Sequence, residues 1–251
     1  MGGDKVSIMH VAKASSAFAR FRLKLREVGV LGVLKLVPKN FSYAKYVYLE
    51  SRFDRRHRVN TAGQTALDKL EIDSENKKHG IRYQPSSYGR LVSMFSNLPK
   101  DLGGFTFVDF GSGRGRVLLF ASQFNFKQIL GVEFSEELHL AAVHNVATFP
   151  ETRRCADIVP INQDATLFPI PDGPLVLYFF DPFRDQVMQK VLDNIALSYR
   201  TRPRKIYLMY LAPVHETLVL ATGVFTRVET PPLARDFYEY KFGLFETAPE
   251  T

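Results

Sequence analysis

Cysteine is nearly absent from this chain. Cys155 stands alone among 251 residues, so neither an internal disulfide nor a cysteine-rich zinc site can form. A reducing compartment is expected, with the cytosol as default. Histidine is sparse and wrongly spaced for a metal. His139 and His144 are five apart on a predicted helix and do not share a face as an i, i+4 pair would, and His10, His57, His79 and His215 show no ligand spacing with acids. No metal is expected. No stretch reaches the roughly 18 to 20 uninterrupted apolar residues of a membrane-spanning helix, and no repeat or low-complexity tract suggests a solenoid. The first residues lack a charged n-region, an apolar h-region and a small-residue cleavage site, while Asp4 and Glu27 argue against an acid-poor transit peptide.

What is present suffices for a sizeable core. Hydrophobic residues make up 45% and charged residues 24%, ordinary values for one large globular domain or two small ones. The net charge of +7 is concentrated at one end: residues 1 to 60 hold 13 Lys+Arg against 4 Asp+Glu, and the other 191 hold 20 against 22. Such an arm draws phosphates, anionic lipid or an acidic partner. Phe18, Phe21, Leu25, Val28, Leu31 and Leu34 recur near helical spacing with Lys13, Arg20, Lys24 and Lys35 between them, and Pro38 closes the pattern. Three readings stand: a helix packed on the domain, an interfacial membrane helix that would make the protein peripheral, or a nucleic-acid arm. Residues 50 to 80 are polar, and their Arg52, Arg55, Arg56 and Arg58 read either as a solvated face or as a cover for a site. The expected organisation is a basic N-terminal helical extension over residues 1–80 followed by one domain over 81–251.

Beyond Pro99 the chain alternates between strand and helix patterns, as an α/β fold requires. Strands are expected at Phe105 to Phe110, Gln128 to Glu133, Ile158 to Ile161, Leu175 to Phe180 and Lys205 to Leu211; helices at Gly115 to Gln123, Glu136 to Ala147 and Arg184 to Tyr199. Phe225 to Glu229 and Tyr238 to Phe245, joined through Pro231-Pro232, fit an antiparallel hairpin added to a parallel sheet.

The sharpest motif is Val108-Asp109-Phe110-Gly111-Ser112-Gly113-Arg114-Gly115, between a strand and a helix. Alternate glycines let backbone approach a ligand, and the helix that follows presents its positive end. A dinucleotide fingerprint wants glycine or alanine where Arg116 stands, and Asp109 would repel a diphosphate but welcome a cation. Glu133 ends the next strand, where a carboxylate can accept both ribose hydroxyls. Asp164 follows the third strand and could accept from an adenine amino group. Each acid alone could be a helix cap or a loop salt bridge; three at successive strand ends point to a ligand.

Asp109 with its glycines, Glu133, Asp164 and the strand end Tyr178-Phe179-Phe180-Asp181-Pro182-Phe183 resemble the class I, seven-stranded S-adenosylmethionine-dependent methyltransferases over roughly residues 80 to 250. That resemblance implies a doubly wound, mostly parallel seven-stranded sheet with a C-terminal antiparallel hairpin. It implies S-adenosylmethionine held by Asp109, Gly111, Ser112, Gly113 and Gly115 near its amino-acid part and sulfonium, by Glu133 at the ribose and by Asp164 or Ala165 at the adenine, with Phe134 also in the donor site. The loop, with Tyr83-Gln84-Pro85 placed 26 residues before Asp109, is nearest in look to the non-SET histone-type lysine methyltransferases and their bacterial and mitochondrial relatives, which adds Pro85 to the donor site. Asp181-Pro182-Phe183 is similar to the Asp/Asn-Pro-Pro-Tyr/Phe motif of amino-group methyltransferases without its second proline. The implied reaction is N-methylation of a protein side chain such as lysine, with Asp181, Tyr83 or Tyr178 handling the amine proton. A small-molecule or nucleic-acid acceptor on the same fold is the alternative. An NAD(P)-dependent oxidoreductase and a non-catalytic donor-binding module are the readings from other classes.

Overall fold

A computed structural model describes residues 43–65, 83–233 and 238–248. The basic amphipathic segment and the rest of the expected arm up to residue 42, like residues 66–82, lie outside the described residues. The chain divides into two compact units, Met1–Tyr48 and Leu49–Thr251. The second unit therefore starts some thirty residues before the expected boundary at 80/81. Residues 43 to 57 are helical (α1), and the portion from Leu49 onward belongs with the sheet.

The remaining elements are α2 (Tyr88–Phe95), β1 (Thr106–Phe110), α3 (Arg116–Ala121), β2 (Gln128–Glu133), α4 (Glu136–Thr148), β3 (Ile158–Asn162), β4 (Leu175–Phe180), α5 (Asp185–Thr201), β5 (Ile206–Leu211), α6 (Glu216–Ala221), β6 (Phe225–Val228) and β7 (Phe242–Thr247). A single 3-10 turn occupies Ala165–Leu167. The seven strands form one sheet in the order β3-β2-β1-β4-β5-β7-β6. The first five are parallel, while β7 runs antiparallel to both β5 and β6. The fold class read from the sequence is thus observed: α/β, doubly wound, with the late hairpin inserted so that its second strand pairs inward. That strand begins at Phe242, four residues after Tyr238, where the alternation of aromatics suggested its start. Helix α6 has six residues, too few for a periodic apolar pattern to reveal.

Period-two alternation sorts the core. Val108, Phe110, Leu177 and Phe179 face α5 with its Val187, Met188, Val191 and Ile195. Phe107, Ile129, Val176 and Tyr178 face α2 and α3 with Leu91, Phe95, Leu118 and Phe120. Asp109 follows Phe107 by two and therefore shares the second face. The register sets Asp109 beside Gly131 on one side and Tyr178 on the other. Gly131 is required there: a Cβ would lie 2.5 Å from Leu118 Cδ1 and 2.9 Å from Ser112 Oγ. Glu133, two residues on from Gly131, comes out on the same face, so strand pleating alone gathers both acids.

Candidate active site

Strands β1 and β4 are neighbours at the point where the strand order turns, and in an open α/β sheet the ligand crevice opens beyond the carboxyl ends of such a pair. A cleft is found there, with about 660 Å³ of non-atom space counting its open mouth. Asp109, Glu133 and Tyr178 form its floor; Gly111, Ser112 and Phe134 come from the loops after β1 and β2; Tyr83, Pro85 and Ser86 come from the segment before α2; Asp181, Pro182 and Phe183 follow β4. Most of the expected site residues thus line one cavity.

The glycine loop reverses the chain through left-handed backbone at Gly111, Gly113 and Gly115 (φ 80°, 53° and 81°), which glycine adopts without a Cβ penalty. Two of these glycines also clear space. A Cβ on Gly111 would come within 2.9 Å of Pro182, and one on Gly113 within 2.2 Å of the Tyr83 ring. Gly115 is the N-cap of α3, and neither it nor Gly113 lines the cleft, so these two shape the loop while Gly111 and Ser112 face the cavity.

Glu133 is 4% exposed and accepts two backbone N–H groups, from Gly113 (2.8 Å) to Oε2 and from Ser135 (2.9 Å) to Oε1. Burial nevertheless outweighs those bonds and pushes its carboxyl up to about 7. Asp109, 2% exposed, is raised well above the ordinary carboxylate range, first by burial and then by the charge of Glu133. Among the described residues, no lysine or arginine ion-pairs with either acid. Beside them Ser112 Oγ is buried without a hydrogen-bond partner.

Asp164 and Ala165 do not line this cleft. Asp164 Oδ1 accepts from Thr166 N and Thr166 Oγ1, both at 2.8 Å, and so caps the 3-10 turn that follows β3. Both bonds fall on one of its two carboxylate oxygens. Tyr178 does lie in the cleft, but its hydroxyl is bonded to Ser86 Oγ at 2.6 Å, and burial raises the phenol beyond any role as a neutral-pH base. Tyr83 donates its hydroxyl to Thr61 O at 2.6 Å, which leaves its ring, not its oxygen, to face the loop. Of the three residues expected to handle a proton, Asp181 is the one carboxyl group. It is half-buried, carries φ +39°, and accepts from Tyr210 Oη at 3.4 Å. Burial raises its carboxyl, while the charge of His215 opposes the rise.

Sequence reading missed Arg116 as a cleft residue; it excluded a dinucleotide fingerprint but its partners were not seen. Arg116 is buried at the start of α3 and forms ion pairs with Glu50 and with Asp54 (3.1 Å) from α1. The available signal was the i, i+4 spacing of those two acids, which puts both on one helix face. Cys155 is buried, and burial raises its thiol, which makes it a poor nucleophile. Among the described residues no group of three or more His, Cys, Asp and Glu is placed to hold a metal ion, and no helix is long and apolar enough to cross a membrane.

A seven-stranded, doubly wound sheet with an acid-floored crevice at its switch point defines an α/β protein whose cleft lies where open sheets of this kind take their ligands. No protein-family model and no curated protein matches the chain. Solved structures that it resembles include methyltransferases. A ribosomal-protein methylase of Lactobacillus delbrueckii subsp. bulgaricus is 16% identical, with 64% of this chain and 77% of that one covered at a TM-score of 0.43. The N-methyltransferase NodS of Bradyrhizobium japonicum, in complex with S-adenosyl-L-homocysteine, is 13% identical over 63% of this chain and 84% of its own, with a TM-score of 0.47. Magnesium protoporphyrin IX methyltransferase of Synechocystis, with bound S-adenosylmethionine, is 18% identical over 63% and 74%, with a TM-score of 0.41.

Proposed function

We propose that the cleft binds S-adenosylmethionine and that the chain transfers its methyl group to a nitrogen, with a protein lysine side chain as acceptor. The observation that carries the donor assignment is the pair of buried carboxylates, Asp109 and Glu133, with no basic partner among the described residues. Two such groups in a low-dielectric floor are costly unless a cation or hydroxyl donors complete them. A sulfonium with an α-ammonium beside Asp109, and a ribose diol on Glu133, are the complement. A diphosphate would meet the same two carboxylates, which disfavours NAD(P). The unpartnered Ser112 Oγ offers one further polar contact.

Bound at this site, S-adenosylmethionine supplies a methyl group on an electron-poor sulfonium sulfur. The chain's own part is to place an amine in line with that carbon, keep water out and hold the amine's proton. Phe180, Pro182 and Phe183 wall the β4 end of the cleft around Asp181. A slot walled by aromatic rings, with one carboxylate at its rim, suits a single ammonium on an apolar stem better than a phosphate-bearing acceptor. The excess positive charge of residues 1 to 60 supports attraction of the whole protein to an acidic partner, membrane surface or nucleic acid.

The test is incubation of the full chain with methyl-labelled S-adenosylmethionine and a cell lysate, followed by separation into protein, nucleic-acid and small-molecule fractions. Label recovered as methyl-lysine is the expected result. Label confined to another fraction would replace the acceptor, and a chain that does not bind S-adenosylhomocysteine in calorimetry would remove the donor as well.

Glu133 gives the donor site a pH signature. A carboxyl raised to about 7 in the free protein favours its protonated form, so its contribution to folding stability is fully present below the ordinary value of 4.5 and is lost as pH rises to about 7. Two ribose hydroxyls donate more strongly to the ionised form and so pull the group back down. S-adenosylhomocysteine affinity is therefore expected to rise through pH 6 to 7.5, by at most about tenfold per pH unit, with proton release on binding. Calorimetry in buffers of different ionisation enthalpy measures both; a flat profile with no proton release would contradict the ribose role of Glu133.

A further inference from the structure

We infer that residues 54–62 are a strap that fixes the glycine loop and Tyr83 for the donor, with Thr61 and Arg116 as positioning residues; this rests on the donor reading of the cleft. Arg116 is in an electrostatically awkward place. It opens α3, where the helix macrodipole repels a cation, and it is 2% exposed. Glu50 and Asp54 neutralise it, and its Nε donates to Thr61 Oγ1 at 2.7 Å. The same hydroxyl donates to Asp54 Oδ1 at 2.6 Å, while Thr61 N and Ala62 N donate to Asp54 Oδ2 at 2.7 and 2.6 Å. Thr61 is fully buried.

The other side of Thr61 leads to the top of the loop. Its carbonyl accepts the Tyr83 hydroxyl at 2.6 Å, and the Tyr83 ring lies against Gly113 so tightly that no Cβ fits between them. Gly113 N in turn holds Glu133. Thr61 is thus the joint between Arg116 at the end of the glycine loop and Tyr83 over its middle. Arg114 adds a third tie by donating to Asn60 Oδ1 (3.3 Å), Ala62 O (3.4 Å) and Thr65 Oγ1 (3.2 Å). Asn145 of α4 locks the strap from below: its Oδ1 accepts from Asn60 N at 2.8 Å, and its Nδ2 donates to Asn60 O at 3.2 Å and to Arg114 O at 2.9 Å. Buried charged networks add little net stability but fix one geometry among several. Here that geometry is the one in which the loop amides and Glu133 converge. Asp181 lies across the cleft and is not part of the network, so the strap governs donor binding and leaves the acceptor chemistry alone.

The test compares Thr61→Val, Thr61→Ser, Tyr83→Phe and the Thr61→Val/Tyr83→Phe double variant in the full chain. Three readouts are taken: S-adenosylhomocysteine affinity, KM and kcat, and amide exchange over residues 111–115 without donor. Thr61→Val is expected to weaken affinity and raise the donor KM by about tenfold, with kcat held within about twofold, because only hydrogen bonds to the strap are lost. Loop amides should exchange faster in that variant, Thr61→Ser should restore every value, and Tyr83→Phe should cost less on top of Thr61→Val than it does alone, because Thr61→Val keeps the carbonyl that Tyr83 donates to but releases the side chain that holds it in place. A merely structural threonine would lower the melting temperature and leave affinity and loop exchange unchanged, and that pattern, or fully additive losses in the double variant, would overturn the strap. If the wild type fails to bind S-adenosylhomocysteine, the donor reading falls, while exchange over 111–115 still decides whether the strap holds the loop.

Discussion

Replacing Asp181 with alanine is expected to lower kcat for methyl transfer by about 10²- to 10⁴-fold while leaving S-adenosylhomocysteine affinity nearly unchanged. An amine attacks only when neutral, and among the cleft's titratable groups Asp181 is placed to take or hold its proton. Tyr178 is bonded to Ser86 and its phenol is pushed upward by burial; Tyr83 is bonded to Thr61. Asp181 has the appropriate surroundings: half-burial raises its proton affinity above that of an exposed carboxylate, and Tyr210 Oη steadies one oxygen. Its φ of +39° turns the side chain out of the strand direction at the end of β4, a conformation that aspartate tolerates better than most residues. Alanine in that conformation costs about 1 kcal/mol, so denaturant stability must be measured alongside rate. Asp181→Asn separates two duties. It retains an oxygen that can orient an N–H but cannot accept the proton, so deprotonation predicts loss comparable to alanine and orientation predicts recovery. Turnover of Asp181→Ala near the wild-type level would remove Asp181 from the mechanism.

Why does one cleft gather Asp109 and Glu133, as the sequence led one to expect, while Asp164 lies outside its lining? All three are acids at strand ends. The first two are placed by strand pleat on either side of Gly131, whose missing side chain makes room for Leu118 and Ser112, and those are properties of pattern. The fate of Asp164 depended on which nearby donors its oxygen would meet, and Thr166, two residues on, captured it. Strands β1, β2, β4 and β5 were legible because each is a short, largely buried apolar run, and the less buried edge strand β3 by its β-branched residues; the hairpin's second strand was not bounded correctly because Tyr238 and Tyr240 alternate like a strand yet stack on each other at 5.4 Å. The least legible feature was the segment before the sheet. Residues 49–65 read as part of a basic extension, either a solvated face or a cover for a site, and what ties them to the sheet domain is contact with Arg114 and Arg116 some fifty to sixty residues away, which no local periodicity records.

Those long-range contacts carry the largest expected stability effect. Arg116→Met is expected to destabilise the protein by about 3–5 kcal/mol, because it leaves the carboxylates of Glu50 and Asp54 without their cation. Both acids are nearly buried, with side chains 8% and 12% exposed, so water cannot replace the guanidinium. The methionine fills much of the volume and relieves the clash between a cation and the α3 dipole, yet neither gain matches the uncompensated charge. Arg116 also stacks over Phe53 at 4.8 Å, a contact methionine keeps in part. The charge argument makes a second demand: adding Glu50→Gln and Asp54→Asn to Arg116→Met should recover most of the loss, since a neutral, hydrogen-bonded cluster needs no cation. Urea denaturation of the three proteins measures this directly. If the single variant loses less than about 1 kcal/mol, Arg116 behaves as an exposed ion pair. If instead the triple variant falls further, packing and not charge is what Arg116 contributes where the strap meets the glycine loop.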